Sequence, residues 1–407
     1  MNRFSLYTLA LVLAANTMIL SAQTTSDDIE QRYRRSSLCS ILVKHTEDKF
    51  AKEIEEQFLN IPIDDKYNEH NLSVRVVSVS SKGDYQRDIN NFVESNNIGS
   101  RILARWFNRN RFNGECDMEL VKERGLYDAS AFDHELASRS ARGLGMLQDA
   151  GEDLIGKTYL IVNEITYIDK NTRARTWGAI ASGLGALASA YTGNDSWSTL
   201  GNVSNSVISS IKGFSVKINS RLYRLVWDEA TQATFYKDYY SAKPDAAKKD
   251  AFENNRSKFR MEYVGNVVSK GSTTSFLGIN EDRPDLMIRK ACQRAIEENV
   301  ADLQKNYEQF RIKAPIISVN PTIQVQIGLK EGIGYDSKFE VLEPEEKDGK
   351  IVYKRVAVIK PLPGRIWDNR FMAEEEQAYG ANFGATTFKK VSGGNIYPGL
   401  LVREITN

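Results

Sequence analysis

The chain has 407 residues, with 54 Lys and Arg against 53 Asp and Glu and a net charge of +1. Charges this balanced give no global field to attract nucleic acid, and no nucleic-acid partner is expected. The three cysteines, Cys39, Cys116 and Cys292, cannot build a dense disulfide framework and leave at least one thiol unpaired, so the core must come from apolar burial.

Arg3, the uncharged run FSLYTLALVLAANTMIL (4–20) and then Ser21, Ala22 and Gln23 follow the order of a secretory signal, with cleavage expected near Ala22 or Gln23. The run is shorter than the roughly 20 residues that span a bilayer, and Asn16 interrupts it, which argues against an anchor. The roughly 385 residues that would remain suffice for two or three domains. The expected division is a signal peptide over 1–23, a linker over 24–37, an α/β domain over 38–313 with an insertion at 176–212, and a small β-barrel or sandwich over 314–407.

After the linker, LCSILVKH (38–45) is β-branched and apolar and predicts a strand. EDKFAKEIEEQFLNI follows, with Phe50, Ile54, Phe58 and Leu59 at helical spacing and charges on the other face. LSVRVVSVS (72–80) predicts a second strand. Ile89, Phe92, Ile98, Ile102, Leu103 and Trp106 can share a face of one helical stretch, and 111–130, with Gly114 and Gly125, reads as a turn-rich connection. A long helix is expected over 131–156, where Phe132, Leu136, Ala137, Ser140, Leu144 and Leu147 repeat at three and four and Gly151 and Gly156 are interruptions or ends.

KTYLIVNEITYIDK (157–170) and GFSVKINSRLYRLVWDEA (213–230) are the strongest strand signals, and they bracket the insertion as a hairpin or neighbouring pair. Residues 230–259 are polar, broken by Pro244 and partly helical; RMEYVGNVVSKGSTTS then offers another strand. PDLMIRKACQRAIEENVADLQKNYEQF (284–310) is an amphipathic helix, with Pro284 suited to its first turn and Cys292 on the apolar stripe as a small core residue. Beyond it come five strand candidates, at 322–328, 337–343, 349–360, 386–391 and 400–405, with a hairpin turn at Lys347-Asp348-Gly349. Between the third and fourth lies a long loop carrying Trp367 and Phe371, which could contact a ligand.

Motifs for chemistry are missing. With only His45, His70 and His134, histidine catalysis has few options, and each reads as a surface or capping residue. HELAS at His134 lacks the second histidine of a helical zinc site, no Cys-x-x-Cys pair exists, and neither a nucleophile elbow nor a phosphate loop occurs. Gly183, Gly185 and Ala188 match a dinucleotide spacing without the strand before it or the acid after it. RWFNRNRF (105–112) mixes arginines with aromatics and reads as a helix end with solvated arginines. No catalytic, metal or cofactor residues are assigned, and the protein is not expected to be an enzyme. An invisible carboxylate pair such as Asp149 with Glu164 is the enzymatic alternative.

The insertion is unusual in carrying almost no charge between Thr176 and Gly213. On a helix, Ile180, Leu184, Leu187 and Tyr191 line one side, with Trp177 and Gly183 beside them; after a TGND turn, Trp197, Leu200, Val203, Val207 and Ile211 line a second. A helical hairpin is expected. Its glycines, each costing roughly 1 kcal/mol against Ala in a solvated helix, ask for a compensating contact. That contact is the protein's own sheet, a second copy, or a membrane surface.

Two parts resemble known families. SRSARGLGMLQDAGEDLI (138–155) feeding KTYLIVNEITYID, with FSVKINSRLYRLVWDEA as partner strand, resembles the periplasmic domain of the curli-secretion lipoprotein family. IQVQIGLKEGIGYDSKFEVLE (323–343) resembles the small β-barrel that ends flagellar assembly protein T, and exported Bacteroidales proteins pair such parts. The resemblance implies a non-catalytic role in envelope assembly or secretion, in the periplasm or at the outer-membrane periphery, as a homo-oligomer or with other envelope proteins. The lipidated cysteine of the first family is missing here, and its insertion hairpins are β whereas this insertion reads as helical.

The expected fold is therefore α+β: a mixed sheet with flanking helices and an inserted helical hairpin, followed by a small C-terminal β-barrel. The expected contact residues are Trp177, Ile180, Gly183, Leu184, Leu187, Tyr191, Trp197 and Leu200. The alternative function is a periplasmic glycan- or peptide-binding module using the Trp367 and Phe371 loop.

Overall fold

The structure, a computed structural model, describes residues 35–79, 85–127, 151–168, 213–274, 284–347, 350–374 and 383–406. The expected signal segment, most of the helix expected over 131–156 and the whole 176–212 insertion, with the eight expected contact residues, lie outside the described residues. The fold is α+β, with one mixed sheet and one antiparallel sheet.

The mixed sheet is built around β1 (Ser37–His45) and β4 (Thr158–Tyr167), which run parallel. Both are buried on both faces over most of their length, as strands covered on both sides are, with Ser40 and Asn163 as buried polar positions. Two short strands, β2 (Asn68–Glu69) and β3 (Val76–Val79), share the outer edge of β1, also in parallel. On the other side β5 (Gly213–Leu225) pairs antiparallel with β4, and β6 (Met261–Thr274) antiparallel with β5. The register reaches Tyr167↔Val216, so residues 169–212 leave and re-enter at the end of a paired hairpin.

Helix α1 (Ala51–Leu59) makes the crossover that parallel β1 and β3 require. Its Ile54 and Phe58 are buried, whereas Leu59, expected on the same stripe, is 44% exposed, because it turns past the edge of the face that α1 presents. The single helical stretch expected next is two helices, α2 (Tyr85–Ser95) and α3 (Ile98–Trp106), broken where Asn97 takes a left-handed conformation at φ 51°. The supposed turn-rich connection holds a helix, α4 (Glu119–Tyr127). Gly125 is inside it, and Gly151 is helical as well, not an interruption. A Cβ on Gly151 would overlap the Val121 carbonyl, so this glycine lets two helices cross at backbone distance.

Helices α5 (Glu229–Asp238) and α6 (Ala246–Asn254) each begin at an aspartate cap: Asp228 accepts from Thr231 N at 2.8 Å and Asp245 from Lys248 N at 2.9 Å. Helix α7 (Pro284–Asn306) lies across β5 and β6, with Asp285 in its first turn and Lys305 in its last, as the helix dipole favours. It sits close because its contact positions are small. A Cβ on Gly271 of β6 would strike the Ala291 carbonyl.

Strand parity divides the core. Cys39, Ile41, Leu160, Val162, Tyr223 and Leu225 face α2 to α6, while Leu38, Leu42, Ile161, Ile165, Phe214, Val216, Ile218 and Leu222 face α1 and α7. The result is three layers, helices on both faces of one sheet.

The C-terminal unit has six strands, one more than the five expected: β7 (Ala314–Ser318), β8 (Ile323–Val325), β9 (Phe339–Lys347), β10 (Lys350–Pro361), β11 (Thr386–Gly393) and β12 (Leu401–Glu404). They pair antiparallel in the order β10-β11-β8-β7-β12-β9, and β9 returns to β10. The strand that sequence reading omitted, β7, joins β8 to β12 and closes the ring. Its own core, with Ile316, Val325, Val341, Ile359, Phe388 and Val402, is separate from that of the mixed sheet. The unit reaches the first through the short helix Leu329–Glu331, which lies against α7, where Lys305 Nζ donates to Gly332 O at 2.7 Å.

Candidate functional site

Where the two units meet, a cavity of about 270 Å³ opens between the mixed sheet, α1, α7 and the Leu329–Glu331 turn. Leu38 and Ser40 on β1 and Ile161 and Asn163 on β4 form its floor, because alternate residues of paired parallel strands share a face. Phe58 closes one side and Ile296 and Val300 of α7 the other. Its size and apolar walls with few polar groups match the usual form of a small-molecule site.

The polar floor is fixed from beneath. Ser220 donates to Asn163 Oδ1 at 2.6 Å, Asn163 Nδ2 donates to Ser40 Oγ at 3.0 Å, and Asn299 Nδ2 donates to Ser220 Oγ at 2.7 Å. This chain ties three strands to α7 and holds Ser40 and Asn163 in one orientation.

One wall is ionic. Lys330 Nζ lies 3.0 Å from Asp65 Oδ1 and 3.4 Å from Asp64 Oδ2, a bridge between the C-terminal unit and the loop after α1. Lys330 is held in place by its own N–H, which donates to Asn369 Oδ1, and by Asn369 Nδ2, which donates to Glu331 Oε2. Burial works against the Lys330 charge, but Asp64, Asp65 and Glu331 outweigh it and raise its pKa above that of a free lysine. Burial pushes the Asp64 carboxyl up; Asp65, although burial opposes it, is held down by the Asp64 hydrogen bond and by Lys66 and Lys330. The pair therefore shares a proton more readily than two free carboxylates would.

Asp64, Asp65 and Glu331 could each offer one oxygen within 4.8 Å of the others. A divalent cation there would face the Lys330 ammonium, which already supplies the positive charge, so this set does not suit a metal.

Two residues of the cavity lining each carry a shielded polar atom with no hydrogen-bond partner among the described residues. Gln293, 8% exposed, donates through Nε2 to Glu297 Oε1 at 3.2 Å, but its Oε1 accepts nothing. Arg75 donates from Nη1 to Leu59 O at 3.1 Å and from Nη2 to Ile61 O at 3.3 Å, while its buried Nε–H meets no acceptor. Burial raises the Glu297 pKa, although the Phe371 N–H donating to it works the other way.

Trp367 and Phe371 do not line this cavity. Trp367 bonds through its backbone to Leu329 N and Thr386 Oγ1; Phe371 N–H donates to Glu297, and its carbonyl accepts from Arg294. The loop is thus a strap across α7. His70, read from sequence as a surface or capping residue, is fully buried: Nε2–H donates to Ile102 O at 3.0 Å, and Nδ1 accepts from Arg124 at 2.9 Å. Glu164 is engaged by His45 at 2.9 Å and Arg221 at 3.1 Å. Arg109, expected in solvent, stacks over Phe252 and donates to the Gly114 and Tyr239 carbonyls, so that motif joins α3 to α5 and α6. Burial pushes the Cys39 thiol to about 11 and the Cys292 thiol to about 12, which leaves both unreactive near neutral pH.

Sequence reading missed the cavity residues. Asp64-Asp65 and Lys330-Glu331 lie 265 residues apart and no local pattern joins them. Gln293 and Glu297 left a visible trace, two polar positions four apart beside the apolar Ile296 and Val300. Among the described residues no helix is long and apolar enough to cross a membrane. No protein-family model matches the chain, and no curated protein matches it.

Proposed function

We propose that this is a non-catalytic, exported binding protein of the cell envelope, which holds a small molecule where its mixed sheet meets a small C-terminal β-barrel. The cavity carries this reading: it is walled by apolar side chains, floored by an anchored polar pair, and its lining residues keep a buried acceptor and a buried donor that no described residue satisfies. Buried polar groups are nearly always hydrogen-bonded, and two unsatisfied groups in the lining of one cavity mark it as a place where a small shift of side chains on binding would be rewarded. The cavity's side chains favour binding over reaction, because Lys330, Asp64 and Asp65 are tied to one another and, among the described residues that line it, no nucleophile stands beside a base. The test is to denature the purified full chain, extract it and analyse the extract by mass spectrometry, alongside thermal shifts with small glycans, short peptides and apolar acids. A compound released in stoichiometric amount, or a dose-dependent rise in Tm, supports the reading. An empty extract with no shift from any class removes it.

A second reading, assembly, is favoured by the nearly chargeless stretch 176–211, which lies in the connection between β4 and β5. The resemblance to envelope-secretion families supports the same role, with a second copy or another envelope protein covering Trp177, Ile180, Leu184 and Trp197. Light scattering on the full chain and on a deletion of 177–211 tests it: an oligomer that becomes a folded monomer supports assembly, and a full chain already monomeric overturns it.

A further inference from the structure

The cavity's charges are unevenly matched. Lys330 is paired with Asp64 and Asp65, and Glu297 accepts from Gln293 and the Phe371 N–H, whereas Arg75 forms no ion pair with any described residue. Its two bonded nitrogens each meet a neutral carbonyl, its Nε–H meets nothing, and Glu69 acts on it from beyond ion-pair distance. Its guanidinium lies over the Phe58 ring, 5.2 Å from the centroid, a cation–π contact with an apolar wall of the cavity. A guanidinium fixed in this way keeps one unclaimed N–H on each of Nη1 and Nη2, and these can take a carboxylate. Beside it Phe58, Ile61, Ile161, Ile296 and Val300 offer no polar contact to the remainder of a ligand.

Size narrows the class. The cavity measures about 270 Å³ and is partly open to solvent, so it suits a small ligand with a short hydrocarbon body. We propose that the cavity binds an apolar monocarboxylic acid of about that size, its carboxylate on Arg75 and its hydrocarbon body between the sheet and α7. The proposal rests on the binding reading above and adds the ligand class to it.

Octanoate, 1-octanol and octylamine share one hydrocarbon body and differ in the head group. Titrated calorimetrically into the full chain, octanoate is expected to bind at least tenfold more tightly than either of the others. Arg75→Gln should remove at least tenfold of the octanoate affinity and leave that of octanol unchanged, with Arg75→Lys intermediate. Octanol or octylamine binding as tightly as octanoate would overturn the carboxylate assignment while leaving the binding reading intact. Binding of none of the three would overturn the class; with an empty extract from the purified chain it would overturn the binding reading too. Should Arg75→Gln fail to fold, the wild-type ranking of the three head groups still decides.

Discussion

The two faces of the mixed sheet are made from the same strands yet packed on different terms. On one face Phe107 sits fully buried among Trp227, Phe235, Tyr236 and Tyr240, with ring centroids 4.4 to 6.1 Å away. Tyr239, Phe252 and Phe259 extend the cluster. Bulky rings fill that space to the density of a solid, and helices are tied down by backbone caps. The other face has the small residues of α7 at one end and, at the other, Ser40 and Asn163 beneath an open cavity. The tight face fixes the shape of the sheet, and the loose face inherits a rigid floor on which a ligand can be positioned.

The tight face can be broken most severely by protons. His70 stacks on Trp106 at 5.1 Å, and burial first, then the Arg124 and Arg105 charges, depress its pKa to about 3 from an unfolded value of 6.5. The unfolded chain therefore takes up a proton through the window from pH 6.5 down to about 3 while the folded chain does not. The stability that neutral His70 confers is whole above 6.5 and is lost as the pH falls toward 3, by on the order of 5 kcal/mol at full protonation. Chemical denaturation followed across that window should give a slope that His70→Gln reduces. An unchanged slope would mean that other groups carry the acid sensitivity.

Phe107→Ala is next in size. Removing a fully enclosed ring from a cluster that cannot collapse should cost about 4 kcal/mol in equilibrium unfolding. Its effect on ligand affinity should be small, because Phe107 faces away from the cavity. A large loss of affinity at unchanged fold would show that the two faces are coupled through the sheet.

Much of this architecture could be read from the chain because it is periodic. The alternation in β4, β5 and β6 and the stripe of α7 report directly which side meets the core. What escaped was weakly patterned. Helix α4 buries Val121 and Gly125 among charged residues, and Arg124 points inward to Ser37 and His70, so its apolar stripe is nearly absent. Strand β7 is five residues long and includes Pro315, a residue that reads as a turn. The cavity escaped for another reason. Its floor, its ionic wall and Arg75 come from segments separated by most of the chain, and only β-pairing and the docking of α7 bring them together. Tertiary proximity of that kind leaves no mark on local spacing.

The finest test of the contrast uses two neighbouring residues. Ile161 and Val162 are adjacent on β4, 2% and 0% exposed, and point to opposite faces. Phenylalanine at Val162 must force its ring into the aromatic cluster, and such overpacking should cost about 2 kcal/mol. Phenylalanine at Ile161 meets the cavity, where the added atoms find space and new dispersion contacts, so the cost should stay below about 1 kcal/mol. The same ring would occupy the volume left for a ligand, so Ile161→Phe should abolish binding with little change in unfolding midpoint, whereas Val162→Phe should lower the midpoint and leave binding intact. Equal destabilisation by both would mean that the cavity wall is as unyielding as the aromatic face, and the division of labour between the two sides of the sheet would fail.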